Sequence, residues 1–372
     1  MKRITLGELC HPNARQLKAN EETMIDYIDI ASVDNVSKKI KGFQTMPFGE
    51  APSRARKSVQ NGSILVSTVR PNLNAVAILE EGTPNISVAS TGFCILDCKD
   101  STDKRFVFNF CKSKRFVNDM VSQATGASYP AVNDKIVRNS LVPAYSYEEQ
   151  CRIGQILDKV STLIETRTQE LKSLDDLIKA RFVEMFGEDI KQSNMTIADI
   201  AEETTVGIAN SATHAYSESG VVMLRNQNIR VNYLDDRDLI YIKQDFAEKY
   251  KNKALHEGDI LVTRTGANVG MACIVPKKYE GCQTFTTLIL RLRKDISISP
   301  IFVCHYINSP LGKSFVDENK IGGGQPNFGA KQLSIMPIVV PSEEKQIAFD
   351  LFVNQVDKSK YNYSSSSLFL GI

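Results

Sequence analysis

Arginine and asparagine side chains recur in loops that follow predicted strands, and they are the residues of this chain best suited to contact a ligand. In the first half the candidates are Arg54, Arg56, Lys57, Arg70, Asn72, Asn74, Ser128 and Tyr129. In the second half they are Arg225, Asn226, Asn228, Arg264, Thr265, Asn268, Gln325 and Asn327. Arginine and asparagine match the donors and acceptors of guanine and adenine edges in the major groove. The pattern therefore indicates contact with DNA bases. The alternative is a set of solvated loops, in which the same residue types are common.

Residue patterns typical of catalysis are absent from the sequence. Gly312-Lys313-Ser314 has the ending of a phosphate-binding loop, but Ile307 stands where that loop requires glycine. The four histidines are spread along the chain, and no His-Glu-x-x-His stretch, dinucleotide-binding glycine motif or amino-methyltransferase signature is present. We therefore expect a binding protein with no catalytic residues, no bound cofactor and no metal.

The composition is that of an ordinary globular protein. Of the 372 residues, 42% are hydrophobic and 24% are charged, and this length predicts two or three domains. No apolar run approaches the roughly 20 residues of a membrane helix, and the N-terminus becomes polar too soon for a signal peptide. The eight cysteines include no C-x-x-C pair, so we expect buried free thiols in a reducing cytoplasm.

The net charge of +2 is unevenly distributed along the chain. Residues 1–145 and 191–341 are basic, whereas residues 146–190 and 342–372 are acidic. A basic domain is the electrostatic footprint of a polyanion binder. Because the excess is small, either the basic residues are focused on one face or a partner contributes to binding.

The same framework of residues occurs twice in the sequence. Gly62-Ser63-Ile64-Leu65-Val66 returns as Gly258-Asp259-Ile260-Leu261-Val262, and Gly126-x-x-x-Pro130 returns as Gly322-x-x-x-Pro326, each 196 residues later. This period is far longer than the roughly 20–50 residues of solenoid repeats. It indicates two copies of one domain whose exposed positions have diverged, which suits a molecule that reads two different targets.

Each copy is predicted to be mixed α and β, so the fold class is α/β (mixed α+β). The predicted strands are residues 27–33, 62–69, 90–96, 221–224, 258–263 and 284–292. Helical spacing covers residues 105–121 and 301–316. A glycine-containing turn and a short apolar strand ending in proline follow in both copies.

A long amphipathic helix is predicted after the first copy, and Gly187 is its expected end. Apolar residues recur at steps of three and four, the pattern of a coiled-coil seam, at Ile153, Ile156, Val160, Leu163, Leu171, Leu174 and Ile178. A lone solvated helix of this kind is unstable, so the seam needs a partner. The second copy begins the same helix at Glu343 but then runs into serines, and we expect that helix to stop near Lys360.

These boundaries predict four segments. Residues 1–145 form the first domain, residues 146–190 a central spacer helix, and residues 191–341 the second domain. Residues 342–372 form the start of a distal helix, truncated, with a serine-rich tail.

The order of these features, occurring twice, resembles the specificity subunits of type I restriction–modification systems. The matching elements are Gly-Ser/Asp-Ile-Leu-Val with a polar loop, the Gly-x-x-x-Pro turn, the strand ending in proline, and the glutamine that opens a long helix. The resemblance covers residues 1–360.

The resemblance implies two repeated target recognition domains joined by long antiparallel coiled-coil helices. Residues 1–145 would read one half of a bipartite site in double-stranded DNA, and residues 191–341 the other half. The helices would set the spacing and dock two methyltransferase subunits, which in turn recruit restriction subunits. Methyl donor and ATP would bind those partners, so this subunit would itself be non-catalytic.

Three alternatives remain at this point. The chain could be a stand-alone DNA-binding regulator built from the same domains, or a silent or phase-variable specificity cassette. It could also be an enzyme, such as a nuclease fused to recognition domains, but no residues remain to form an extra catalytic domain.

Overall fold

The computed structural model describes residues 2–12, 16–209, 212–322, 324 and 326–368, with side chains described as far as residue 360. The chain forms two compact units, Met1–Thr166 and Arg167–Ile372. Each unit has its own hydrophobic core.

The first unit combines short strands with short helices. Its strands are β1 (Arg3–Thr5), β2 (Met24–Ile28), β3 (Gln44–Pro47), β4 (Ala55–Ser58), β5 (Ile64–Ser67), β6 (Val76–Ile78), β7 (Ile86–Ser90), β8 (Phe93–Leu96) and β9 (Leu141–Pro143). Its helices are α1 (Leu6–Leu9), α2 (Lys104–Lys112), α3 (Lys114–Gln123) and α4 (Asp134–Asn139), followed by the beginning of α5 (Tyr147–Lys191).

Two larger sheets build the first unit, beside the two-stranded antiparallel sheet of β1 and β9. One has the order β3-β2-β7-β4, with β2 and β7 parallel, and the other has the antiparallel order β6-β5-β8. Ile64 and Val66 face the core formed with α2 and α3, whereas Leu65 faces the core shared with β2 and β7. Strand β5 is therefore buried on both faces, which explains its unbroken apolar sequence.

The second unit has the same kind of composition. Its strands are β10 (Met195–Thr196), β11 (Ala201–Val206), β12 (Tyr216–Ser217), β13 (Val221–Arg225), β14 (Ile229–Arg230), β15 (Tyr233–Leu234), β16 (Ile240–Ile242), β17 (Ile260–Val262), β18 (Ala272–Ile274), β19 (Gln283–Phe285), β20 (Leu288–Leu292) and β21 (Pro337–Ile338). Its helices are α6 (Ile197–Ile200), α7 (Gln244–Lys249), α8 (Pro300–Asn308), α9 (Pro310–Asn319), α10 (Ala330–Ser334) and α11 (Glu343–Leu368).

Two four-stranded sheets carry the second unit. Their orders are β12-β16-β13-β19, with β13 and β19 parallel, and β11-β20-β17-β18, which is antiparallel. Ile260 and Val262 face the core that includes α8, and Leu261 faces the opposite core. As in β5, both faces of β17 are covered.

The predicted strands 90–96 and 284–292 are each interrupted, which corrects the sequence-based expectation. The first breaks between β7 and β8, and the second between β19 and β20. The cause is a change of sheet, because β7 and β19 pair in parallel with one sheet whereas β8 and β20 pair antiparallel with the other. The predicted strand 27–33 likewise ends at Ile28, where Asp29 begins a turn of 3-10 helix.

The predicted helices 105–121 and 301–316 are also each two helices. Ser113 and Ser309 adopt extended backbone conformations at the breaks, and their hydroxyls accept hydrogen bonds from Phe116 N and Gly312 N at 3.2 Å. Serine is a favoured N-cap, so each serine ends one helix and begins the next without glycine.

Both long helices extend beyond their predicted ends. Helix α5 passes Gly187 and ends at Lys191, with Ile190 buried. Helix α11 passes Lys360 and reaches Leu368. Serine costs a helix only about 0.5 kcal/mol relative to alanine, so the serine run does not by itself end the helix.

In the second unit, α11 runs antiparallel to the last turns of α5. Lys345 Nζ lies 2.6 Å from Asp189 Oδ2, and Lys360 Nζ lies 2.7 Å from Asp175 Oδ1. An aromatic cluster joins both helices to α8, with ring centroids 4.8–5.6 Å apart, and it contains Phe182, Phe186, Phe302 and Phe349. In the part of the chain that the structure describes, no helix is both long and apolar enough to cross a membrane.

Candidate nucleic-acid interface

Four of the predicted contact residues of the second unit lie together. The loops after β13 and β17 meet where Asn226 Nδ2 donates a hydrogen bond to Thr265 Oγ1 at 3.1 Å. Arg264 Nε donates to Asn327 Oδ1 at 3.1 Å, and the backbones of Thr265 and Asn327 pair as an antiparallel bridge. The cluster is therefore held by its own side chains and backbone before any ligand arrives.

Backbone features hold the loop after β17 in place. The buried Thr263 hydroxyl accepts from Met271 N at 2.9 Å and closes the loop between them. Gly270 has φ +84°, and a Cβ there would lie 2.6 Å from a Val316 methyl. A side chain at Gly270 would therefore require both a strained backbone and a shift of α9.

Polar atoms beside this cluster lack partners. Arg225 Nε and Asn226 Oδ1 are buried with no hydrogen-bond partner among the described residues, although Arg225 Nη2 donates to Asp238 O at 2.7 Å. Native proteins rarely leave such atoms unpaired. Their presence at one loop cluster is typical of a site that a ligand or water completes.

The other three residues predicted for the second unit are considered one by one. Asn228 is 1% exposed, and its amide accepts from Arg225 N at 2.9 Å and donates to Asp235 O at 3.0 Å. It supports the loop and cannot present an edge to a base, so it leaves the candidate set. Asn268 is exposed in the loop after β17. Gln325 lies outside the described residues.

In the first unit, Arg70 and Tyr129 form the central pair. The Arg70 guanidinium stacks 4.8 Å from the centroid of the exposed Tyr129 ring, and Arg70 N donates to Pro130 O at 2.7 Å. Ser128 precedes this tyrosine and is also exposed, as is Asn72 in the short turn after Arg70. Stacking on an aromatic ring orients a guanidinium and costs little of its hydrogen-bonding capacity.

Arg54 and Arg56 lie at β4. Arg54 is exposed, and its guanidinium contacts Tyr27 Oη at 3.2 Å and Asp29 Oδ2 at 2.8 Å. These contacts, the tyrosine hydrogen bond first, raise the pKa of Arg54. The Arg56 guanidinium stacks 5.0 Å from the Phe48 ring. Both arginines are therefore held in defined orientations.

The turn between β7 and β8 links this arginine segment to the loop of Arg70. Thr91 N donates to Arg54 O at 2.8 Å, and Thr68 N donates to Gly92 O at 2.8 Å. Arg54 and Thr68 thus flank the same two-residue turn, and Arg70 follows two residues later. The exposed candidates of the first unit form one neighbourhood.

Lys57 and Asn74 are removed from the candidate set by their contacts. Lys57 Nζ lies 2.6 Å from both Phe93 O and Asp134 Oδ2, and its side chain is 16% exposed. Asn74 has a left-handed backbone, and its amide donates to Lys112 O at 3.4 Å. Both residues hold the unit together from within.

Thr286 is a residue that the sequence did not indicate. It lies between β19 and β20, beyond Phe285, which pairs with Arg225, and before Leu288, which pairs with Val262. It therefore lies at the ends of both strands that carry the cluster. Its φ of +57° is a conformation that β-branched residues rarely adopt. The residue is neither glycine nor asparagine, so the sequence did not signal this left-handed conformation.

The predicted helix-interface residues divide into packed and exposed groups. Ile178 is buried, and Leu174 and Ile153 pack against the cores of their own units. Val160 and Leu171 are half-buried, whereas Ile156 and Leu163 are 51% and 54% exposed. The seam prediction missed Phe182 and Phe186, which are the most deeply buried residues of α5.

The chain is similar to known proteins in sequence and in fold. The family model of the type I restriction modification DNA specificity domain matches residues 191–360. The specificity subunit of the type I restriction enzyme MjaVIII from Methanocaldococcus jannaschii is 23% identical over 272 residues. That match covers 68% of this chain and 64% of the relative, so the chain spans less than two thirds of that subunit's length.

Solved structures share the fold. The S subunit of a type I restriction–modification system from M. genitalium superposes with a TM-score of 0.59 at 13% identity, covering 99% of this chain and 93% of that one. A chain from a structure of type I system assembly and conformational transition gives 0.56 at 22% identity, covering 100% and 94%. These superpositions establish a common fold. The family model identifies residues 191–360 as a type I restriction modification DNA specificity domain.

Proposed function

We propose that this chain reads DNA for a type I restriction–modification complex, with each unit recognising one half of a bipartite site. The observation that carries the proposal is the specificity domain over residues 191–360, in which Asn226, Arg264, Thr265 and Asn327 converge at the ends of two strands. The same converging geometry of arginine and small polar residues suits hydrogen bonding to base edges.

Equivalent backbone geometry at the offset of 196 residues supports the proposal of two copies of one reader. Gly62 and Gly258 have φ +88° and +86°, and Gly126 and Gly322 have φ +99° and +98°. The same offset relates α2 to α8 and α3 to α9 at both ends. It also relates the bridge of Val69 with Ala131 to that of Thr265 with Asn327.

A buried glutamine provides a second equivalence. Gln150 Oε1 accepts from Asp103 N at 3.2 Å, and Gln346 Oε1 accepts from Ser299 N at 2.6 Å. Each donating residue is the N-cap of α2 or α8. In both units the glutamine thus ties the first turn of a long helix to the globular part, as a shared architecture requires.

In our proposal, the arginine that contacts a base is held in a different way in each unit. Asn327 holds Nε of Arg264, so the Nη nitrogens are the donors that would meet O6 and N7 of guanine. In the first unit the ring of Tyr129 orients Arg70 for the same purpose. Each well-formed bidentate contact contributes about 1–3 kcal/mol of discrimination between bases.

Partner subunits would complete the complex. We propose that α5 and α11 form an antiparallel pair that sets the spacing between half-sites and docks two methyltransferase subunits. The exposed Ile156 and Leu163 on α5 supply an apolar surface for such docking. The subunit itself would be non-catalytic, with methyl transfer and cleavage carried out by its partners.

The test is to map the methylation that the chain directs. The full chain is co-expressed with the cognate methyltransferase subunit, and N6-methyladenine is mapped across the host genome. We expect a split motif with a fixed gap, and a methyltransferase-only strain provides the control. A stable complex that adds no methylation would contradict the proposal.

A stand-alone DNA-binding regulator gives a different result. It would bind its operator tightly without any partner, with an affinity that falls steeply with salt. Fluorescence anisotropy of the chain alone on the mapped site measures this binding. We expect weak binding alone and tight binding after the methyltransferase subunit is added.

A further inference from the structure

Away from the candidate DNA interface, two cysteines of the first unit face each other across neighbouring extended segments. Cys10 follows α1, Cys98 follows β8, and the two residues are partners in an antiparallel bridge. The backbone hydrogen bonds between the two segments are made by the residues on either side of the cysteines, at 2.8 and 3.0 Å. This arrangement defines a non-hydrogen-bonded pair, in which Cα atoms lie about 4.5 Å apart and side chains approach most closely.

The spacing of such a pair suits a covalent bond between the sulfurs. Disulfides span Cα distances of roughly 4.4–6.8 Å, a range that includes the spacing of such a pair. Both are free thiols in the structure. A hydrogen bond from Cys98 is the largest cause that lowers the pKa of Cys10, and the same interaction raises the pKa of Cys98.

The surroundings favour reaction at this pair over the other cysteines of the same core. The positive charges of Arg138 and Lys99 also lower the pKa of Cys10. Burial instead raises the pKa of Cys94, to about 12, and that of Cys111. A thiolate is the reactive form of cysteine, so it forms more readily at Cys10 than at Cys94 or Cys111.

A small oxidant can reach the pair. Cys98 is half-buried and lines a cavity of about 700 Å³ together with Asp97, Lys99 and Thr102. Cys10 is 2% exposed and lies behind it. An oxidant would thus enter from the cavity beside Cys98 and reach the sulfur pair there.

We propose that Cys10 and Cys98 are a redox-sensitive dithiol that a hydroperoxide converts into a disulfide. The thiolate of Cys10 attacks one oxygen of hydrogen peroxide, breaks the O–O bond and becomes a sulfenic acid, and the departing hydroxide takes up the thiol proton as water. The thiol of Cys98 then attacks the oxidised sulfur and displaces its hydroxyl group as a second water. Two thiols and one peroxide thus become one disulfide and two waters, and an external dithiol reverses the change.

The disulfide would tie the end of α1 to the end of β8 and close a loop of more than eighty residues. A cross-link that closes a long loop stabilises a domain mainly by restricting its unfolded state. We expect the melting temperature of the first unit to rise by about 5–10 °C on oxidation.

A metal site is the competing explanation for clustered thiols. The described residues contain no group of three or more histidine, cysteine or acidic side chains arranged to hold a metal ion. Two thiol ligands alone do not make the four-coordinate site that zinc requires. Oxidation is therefore the chemistry that this pair supports.

The experiment counts thiols in the reduced, full-length protein. After treatment with hydrogen peroxide, we expect two of the eight thiols to be lost under denaturing conditions, with no dimer formed. Peptide mass mapping should find the segments containing Cys10 and Cys98 joined. Cys98→Ser should abolish the paired loss, whereas Cys151→Ser, a control on α5 with a similarly half-buried thiol, should retain it.

Other products would overturn the proposal. These are an unchanged thiol count, a sulfinic acid at Cys10 or Cys98, or disulfides that join other cysteines or two chains. Mapping of the wild-type protein decides between these outcomes even if a variant folds poorly. A melting curve of reduced Cys98→Ser that matches the reduced wild type establishes that the variant is folded.

Discussion

At the scale of single residues, the same side-chain types serve two purposes in these loops. Asn327 orients an arginine at the surface of the second unit, whereas Asn228 is buried and closes the loop that carries Arg225. Lys57, which follows Arg54 and Arg56 in the sequence, bonds inward to Asp134. Residue type alone does not distinguish these side chains. Burial separates those that a ligand can contact from those that support the loops.

Replacing either central arginine should affect one half-site only. Arg264→Ala removes the guanidinium held by Asn327, and Arg70→Ala removes the one stacked on Tyr129. Each change should cost about 1–3 kcal/mol of recognition at its own base position, and neither should unfold the chain. The methylation motif of each variant is mapped, and each variant serves as the control for the other. If either variant relaxed both halves equally, the proposal of two readers would be wrong.

We expect that the strained backbone of Thr286 lowers the stability of the second unit and contributes to recognition. Its left-handed backbone is of the kind that persists at functional sites at a cost of about 1–3 kcal/mol. Thr286→Gly should leave the free energy of unfolding unchanged or raise it by up to about 1 kcal/mol, while weakening discrimination in one half-site about tenfold. Asp238→Gly is the control, because it relieves a similar φ of +55° in an exposed residue of the same unit. A stable Thr286→Gly variant with unchanged specificity would refute this role.

His305 should make the stability of the second unit depend on pH. Burial lowers its pKa from 6.5 to about 4, so the unfolded chain takes up a proton at higher pH than the folded one. The stability from the neutral ring is complete above pH 6.5 and is lost as pH falls toward 4, by up to about 3 kcal/mol. Urea unfolding of wild type and His305→Gln at pH 7 and pH 5 measures the difference. If the free energy of unfolding fell equally from pH 7 to pH 5 in both proteins, this assignment to His305 would be wrong.

At the scale of elements, helix α5 has two different surroundings along its length. Phe182, Phe186 and Ile190 pack in the core of the second unit, whereas Ile156 and Leu163 are largely exposed. A regular apolar stripe predicts a partner along its whole length. The structure supplies that partner at the C-terminal part of the helix, where α11 lies alongside.

Leu163→Glu should impair assembly without disturbing the fold. The side chain is 54% exposed, so the change in folding free energy should stay within about 0.5 kcal/mol. A buried glutamate in an apolar contact with a methyltransferase subunit should weaken the complex at least tenfold. Gln169→Glu adds the same charge at an exposed position of the same helix and should assemble normally. Light scattering after mixing measures assembly, and an unchanged Leu163→Glu complex would rule out this surface.

At the scale of the whole molecule, the chain consists of two units with separate cores. The cores of the first unit are built on α2, α3 and the sheet of β5, and those of the second on α8 and the sheet of β17. Units with their own cores unfold independently unless a large interface couples them. The two units should therefore differ in thermal stability.

Calorimetry of the full chain should resolve more than one transition. Phe186→Ala removes a fully buried ring that lies 4.8 Å from Phe302 and 5.4 Å from Phe349. It should destabilise the second unit by about 3–5 kcal/mol and lower one transition only. Tyr129→Ala, exposed in the first unit, should leave both transitions in place. A single transition shifted as a whole by Phe186→Ala would mean that the units unfold as one.

How much could be predicted depends on the range of the interactions involved. The amphipathic stripe of α5 and the buried strands β5 and β17 were predicted because local periodicity and apolar runs report burial. The breaks at Ser113 and Thr286 were missed because no glycine or proline lies at them, and the break at Ser309 was missed although Pro310 follows it. The serine caps are local contacts over three residues, whereas a change of sheet depends on neighbours that are distant in the sequence.

By itself the sequence determined the family resemblance, the mixed α and β class, and the loops that carry the candidate contact residues. These follow from residue order and short-range pattern. The tertiary structure alone decided that Arg264 meets Asn327, that Asn228 and Lys57 point inward, and that Cys10 faces Cys98. The pairings of Arg264, Lys57 and Cys10 join residues that are distant in the sequence, and their geometry depends on strand register and burial, which no local pattern encodes.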